Sequence, residues 1–223
     1  MATGDADGLK IAIASLLLSL PIVILALSVH ETAHGYVAYK LGDPTARSMG
    51  RLTLNPLKHL DPIGFLCMVA FGFGWAKPVP INSRYFKKPR RDMAICAVAG
   101  PLSNILLATL FAALYKVLMV CMPLLSLSNQ TATNMIMFAE ILLYLGIRMN
   151  ITLAVFNLLP IPPLDGSKIL YMFLPPHLYY KILNYERYIY FALLLLLATG
   201  VLTPVLSFVS NGIMRLLFML FAI

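Results

Sequence analysis

Charged side chains are scarce in this 223-residue chain: 12% are Asp, Glu, Lys or Arg, against about 25% in soluble domains. With 60% of residues hydrophobic, a soluble globular domain is excluded and a multi-pass membrane protein is indicated. Acidic residues number only nine, so each one that stands in an apolar stretch needs a reason. Cysteines are few as well. Cys67, Cys96 and Cys121 lie in apolar surroundings with no paired spacing, which excludes a disulfide framework and a Cys-based zinc site. No internal repeat, low-complexity tract or insertion the size of a soluble domain is present. The longest stretch between spans, Gly42 to Asp92, is near the lower limit for an independent domain.

What is abundant is apolar sequence, and the basic residues are placed between its segments. The net charge is +8, and ten of the seventeen Lys and Arg residues fall between Lys40 and Arg91. Basic loops flanking apolar spans fit a cytoplasmic face against anionic lipid; no nucleic-acid partner is expected. Residues Met1 to Gly8 are short, polar and acidic and read as disordered. An apolar helix follows from Ile11 to about Leu41, too long for a signal-peptide core and therefore a retained span. Gly42-Asp43-Pro44 ends it. The run Ile63 to Ala76 is too short to cross and reads as re-entrant or interfacial. Gly72 to Asn82, with Pro78 and Pro80, suits an extended edge segment.

Met93 to Cys121 returns outward, Met122 to Thr133 forms an uncharged outer loop, and Asn134 to Leu159 crosses back. Pro160, Pro162 and Pro163 then forbid a regular helix. Ser167 to Arg187 is interfacial in composition, and Tyr188 to about Val209 can span once more despite Gly200 and Pro204. For the tail to Ile223 two readings stay open, on the membrane or across it. The whole reads as an all-α polytopic helical bundle of about four to six transmembrane helices, with a re-entrant segment and a short extended β-like element. It forms a single membrane-embedded domain over residues 1–223.

Inside the first span lies His30-Glu31-Thr32-Ala33-His34. Positions i and i+4 share a helix face, so His30 and His34 can hold one metal ion while Glu31 addresses its open position. That is the ligand pattern of a zinc hydrolase. A catalytic zinc takes three protein ligands, and the third is sought where a second inward-running helix ends. Asp165, after the proline break, arrives at similar depth. Glu140 and Glu186, the only downstream glutamates, sit in no motif of that kind. Glu140 and Arg148, eight residues apart on one helix, cannot pair directly and are expected to snorkel or face a neighbouring helix. His59 and His177 are expected to be solvated or at headgroups.

Several ordered stretches carry a resemblance: His30 to His34, Gly50-Arg51-Leu52-Thr53-Leu54-Asn55-Pro56, Gly74-Trp75-Ala76-Lys77-Pro78-Val79-Pro80, Ala99-Gly100-Pro101-Leu102-Ser103-Asn104, and Asn157-Leu158-Leu159-Pro160-Ile161-Pro162-Pro163-Leu164-Asp165-Gly166. The chain resembles the site-2 proteases, intramembrane zinc metalloproteases of peptidase family M50, over residues 30–168. It looks like a small, core-only subgroup without PDZ or CBS domains.

The resemblance implies one Zn2+ per chain held by His30, His34 and Asp165, with Glu31 as general base. It raises Asn157 and Asn104 as substrate-binding or supporting residues. Asn157 can donate to an oxyanion or the substrate backbone, or simply bond between helices; Asn104, on the helix after a break at Gly100-Pro101, has the same two readings. Gly74, Trp75 and Pro78 belong to the extended segment, which offers an edge for an unwound substrate. The implied partners are the lipid bilayer and a single-span membrane protein or signal-peptide remnant, cut from a multi-pass position in the cell membrane with the active site toward the cytoplasm. A transporter or metal permease using the same His and Glu cluster is the alternative function.

Overall fold

A computed structural model describes residues 2–71, 74–122 and 130–223, with the side chains of 2–13, 71, 176 and 180 left aside. Gly72 and Phe73 of the extended stretch, and most of the expected outer loop, lie outside the described residues. Nine α-helices are described: α1 Ala2–Lys40, α2 Thr45–Ser48, α3 Pro62–Phe71, α4 Pro89–Cys121, α5 Gln130–Asn157, α6 Asp165–Tyr171, α7 Pro176–Asn184, α8 Glu186–Ala198 and α9 Thr203–Phe221. Among the described residues four segments are long and apolar enough to cross a membrane: Ala14–Lys40 within α1, and all of α4, α5 and α9. The all-α bundle is therefore as the sequence indicates.

The differences have local causes. The N-terminal residues expected to be disordered continue α1 back to Ala2. Pro101 was expected to break its helix, yet α4 runs through it, as transmembrane helices allow when neighbours satisfy the freed backbone. The expected span Tyr188 to Val209 is two helices. Gly200, at φ +71°, stops α8 after 13 residues, and Pro204 in the first turn starts α9, so the tail forms the fourth long apolar helix. The β-like element is reduced, among the described residues, to one antiparallel bridge between Leu60 and Ala76. At ten residues, α3 spans about 15 Å, half a hydrocarbon core, as its short run implied.

Helix α4 is the central post, packing on α1, α5, α6 and α9. Its close approach to α5 uses small residues, since in lipid the helices gain little from hiding apolar surface and rely on contact. Ala108 and Ala112 are fully buried against Ile147 and Ile151, and Phe111 lies over Gly146. A Cβ at Gly146 would stand 2.8 Å from that ring. Glu140 is held at this contact by the Tyr115 hydroxyl, 3.0 Å away. Replacing Gly146 by Val should destabilise the α4–α5 contact by about 1–3 kcal/mol. Thermal unfolding in detergent would read this as a lower midpoint, partly restored by adding Phe111→Ala.

Candidate metal centre

One turn of α1 carries His30 and His34 on the face toward α4, and the first turn of α6 brings Asp165 to them. His30 Nε2 and His34 Nε2 are 3.0 Å apart, and Asp165 Oδ2 lies 3.1 and 3.0 Å from them. All three residues are buried.

The outward nitrogens decide what the inward ones can do. His30 Nδ1 is 2.6 Å from Asn104 Oδ1, and His34 Nδ1 is 2.7 Å from the Cys96 carbonyl. Both oxygens can only accept, so each ring carries its proton on Nδ1 and turns a bare Nε2 inward. Three lone pairs thus meet with no hydrogen between them. Such an arrangement is repulsive without a cation and suits a divalent metal. Zinc bonds of about 2.0–2.1 Å in a tetrahedron separate ligand atoms by about 3.3 Å, within a few tenths of these distances.

The surroundings enforce the convergence. A Cβ on Gly100 would lie 2.4 Å from His34 Nε2 and 2.6 Å from His30 Nε2, so α4 can pass behind the rings only as glycine. Asn104 is itself oriented: its Nδ2 donates to Asn150 Oδ1 at 3.0 Å and to the Ala26 carbonyl at 3.3 Å, and Asn150 Nδ2 donates to the Gly146 carbonyl at 2.8 Å. Both amides are fully buried and satisfied. Asp165 Oδ1 accepts from the Lys168 ammonium at 3.0 Å, a charge-assisted contact that favours the carboxylate form. Asp165 is therefore ionised, as a ligand must be.

Glu31 faces a different neighbour. Its Oε2 accepts the Val79 N–H at 2.7 Å. The segment around Val79 is pinned at further points: Lys77 N–H to the His59 carbonyl at 2.8 Å, Arg51 Nη2 to the Lys77 carbonyl at 2.7 Å, and Asn82 N–H to Asp43 Oδ2 at 2.7 Å. His59, expected in solvent, is instead buried, its Nε2 2.6 Å from the Thr53 carbonyl, and it joins this loop to α1. His177 is exposed as expected.

A cavity of about 1340 Å³ opens from the three ligands between α1, α5, α8 and α9. Glu31, Gly74, Trp75, Pro78 and Asn157 all line it. Asn157 bonds within its own helix, Nδ2 to the Leu153 carbonyl at 2.9 Å, which leaves its carbonyl oxygen and second N–H to the cavity. Sequence reasoning did not single out Asn150, Asp43 or Val79. Asn150 stands seven residues before Asn157, two helical turns along one face, which was the available signal.

Comparison with known proteins now decides the family. The model of Peptidase family M50 matches residues 18–197, most of the chain. The chain belongs to peptidase family M50. Family members with curated names include "Putative zinc metalloprotease YwhC" of Bacillus subtilis, 40% identical over 87% of this chain and 88% of its own length. "Putative zinc metalloprotease Rip2" of Mycolicibacterium smegmatis is 30% identical over 70% of this chain and 55% of its own. "Putative zinc metalloprotease MJ0611" of Methanocaldococcus jannaschii is 33% identical over 63% of this chain and 62% of its own. No solved structure matches the chain at a significant level. The M50 resemblance read from the motifs is thereby borne out.

For this M50 member, Gly100→Ala should cut divalent-metal affinity by at least tenfold, because the added methyl occupies the space of the ligand nitrogens. Competition with a chromogenic chelator measures it, with far-UV circular dichroism expected to stay helical.

Proposed function

We propose that this chain is an intramembrane zinc endopeptidase that hydrolyses peptide bonds in or near the transmembrane segment of a membrane-anchored substrate. The observation that carries the reading is the meeting of three unprotonated ligand atoms beside Glu31, at the wall of a large cavity between apolar helices. His30, His34 and Asp165 hold one Zn2+ per chain. Bound there, zinc supplies a Lewis acid able to make water nucleophilic near neutral pH.

Glu31 is the general base. Its Oε2 is anchored by Val79 N–H, which leaves Oε1 to take the proton of the attacking water and pass it to the leaving amide nitrogen. Asn104 and Asn150 keep the His30 ring in the tautomer that points Nε2 inward. Asn157 offers its free N–H to the substrate carbonyl as negative charge develops there.

A transmembrane helix hides its scissile amide in its own hydrogen bonds, so the substrate must unwind first. The segment from Gly74 to Asn82 receives the freed backbone. Its own donors at Lys77, Val79 and Asn82 are already engaged and Arg51 Nη2 reaches the Pro78 carbonyl at 3.3 Å, while Pro80 presents a carbonyl and no N–H group. The substrate therefore donates to this edge rather than accepting from it. The substrate is a single-span membrane protein or signal-peptide remnant, and the basic residues clustered between Lys40 and Arg91 support a site toward the cytoplasmic side of the cell membrane.

Purified protein with a single-span reporter tests the reading. Cleavage should stop with chelator and return with zinc. Glu31→Gln should keep zinc and lose 10²–10⁴-fold in rate, roughly the worth of a general base. Asp165→Ala should lose much of the zinc. Full activity of Glu31→Gln, or metal flux across vesicles with no peptide products, would overturn the proposal in favour of a permease.

A further inference from the structure

Three charged side chains line the cavity that the proposed chemistry leaves unused: Glu186 and Arg187 stand at the start of α8, and Arg148 stands within a candidate span. Arg148 lies within α5, inside a segment apolar enough to span, and lines the cavity wall on a ridge with Leu145, Thr152 and Phe156. Its guanidinium makes no hydrogen bond or ion pair among the described residues. The cavity's acidic groups are engaged elsewhere or unpaired with it: Glu31 accepts from Val79, Asp165 faces His30 and His34 and accepts from Lys168, and Glu186 forms no ion pair with Arg148. A lone guanidinium in a membrane span is costly, and such residues mark paths for substrates or ions.

Its depth is fixed by the network on the other side of the same helix. Asn150 bonds Asn104, which bonds His30, so Asn150 sits level with the ligand cluster. Arg148 is two residues away, about 3 Å along the axis and about 200° round. One turn of α5 therefore turns Asn150 to the metal ligands and Arg148 to the cavity at the same depth. On α9, in the wall of the same cavity, Ser210 is buried, and its Oγ has no partner among the described residues. Ile147 and Ile151 belong to the core cluster on which Leu206, Ile213 and Met214 pack, so this part of α9 lies against the stretch of α5 that carries Arg148.

We propose that Arg148 is a substrate-specificity subsite that accepts a carboxylate, an Asp or Glu side chain carried by the substrate a few residues from the scissile bond. The planar guanidinium binds the carboxylate through two parallel N–H bonds, and the Ser210 hydroxyl supplies a further donor to the same space. Arg148 is exposed before substrate enters, so a bound segment that covers it lowers the local dielectric, strengthens the pair and has its carboxylate neutralised there. This subsite rests on the endopeptidase reading above and specifies which membrane segments that enzyme prefers.

The test scans a single Asp, with Asn as the neutral isostere, along a single-span reporter in zwitterionic-lipid nanodiscs. Two quantities are read: kcat/KM with wild-type enzyme, and reporter affinity with Glu31→Gln enzyme. At one or two adjacent positions Asp should exceed Asn about tenfold in both. Arg148→Gln should bring that ratio to about one, Arg148→Lys should retain part of it, and Arg148→Glu should invert it toward a Lys reporter. A flat Asp-to-Asn ratio at every position, or a ratio that survives Arg148→Gln, overturns the subsite. So does a flat ratio accompanied by loss of co-purified anionic lipid in Arg148→Gln, which would assign the guanidinium to a lipid phosphate. Because affinity is read separately, absence of all cleavage by the wild type would defeat the endopeptidase reading while the subsite is still judged.

Discussion

Two imidazole nitrogens and a carboxylate oxygen meet at 3.0–3.1 Å with no proton to share, and the rest of the structure depends on holding them there. Left alone, these atoms would repel or turn away. They are held because each ring is committed on its far side, His30 to Asn104 and His34 to the Cys96 carbonyl, and because α4 passes behind them as a bare glycine. The convergence belongs to the contact between α1 and α4 more than to the HExxH turn alone. Asp165 then enters from a third direction, where the proline-rich break after α5 frees the chain to turn.

The buried amides explain how a polar centre survives in apolar surroundings. An unsatisfied amide in a membrane interior costs several kcal/mol, so Asn104 and Asn150 are tolerable only as a closed chain of donors and acceptors. That chain runs from the His30 ring through both amides to the Gly146 carbonyl. It ends at the glycine over which Phe111 packs, so the tight α4–α5 contact and the orientation of a metal ligand share one position in the fold.

Much of this was legible in the sequence, for physical reasons. The spacing of His30 and His34 fixes a shared helix face, and scarcity of acid made Asp165 conspicuous at the end of a second inward helix. Charge asymmetry and apolar lengths gave the spans through α5. The failures also have causes. Pro101 was read as a break because proline removes a helix hydrogen bond, but a helix enclosed by neighbours tolerates the loss. The α8–α9 break turned on the positive φ at Gly200, which composition does not reveal inside an apolar run. His59 looked like a loop residue in solvent, yet the loop folds back over α1 and buries it. Asn150 was hidden because its meaning lies in a partner 46 residues away.

The turn that bears the His30 and His34 motif does more than gather candidate ligands, because each step along it rotates by about 100°. His30 and His34 face α4. Glu31, one step round, meets the Val79 N–H in the extended segment. Thr32, a further step round, places its hydroxyl 2.6 Å from the Thr53 carbonyl, the same oxygen that His59 reaches. That loop in turn holds Lys77, two residues from Val79, through the His59 carbonyl and Arg51. Ligands, base and extended segment are thus fixed to one another through a single turn of α1. A shift of the segment would be felt at Glu31, and a rotation of α1 that moved the histidines would pull on both loops. The compactness of HExxH therefore places Glu31, the proposed general base, and the segment proposed to hold the substrate in one rigid frame.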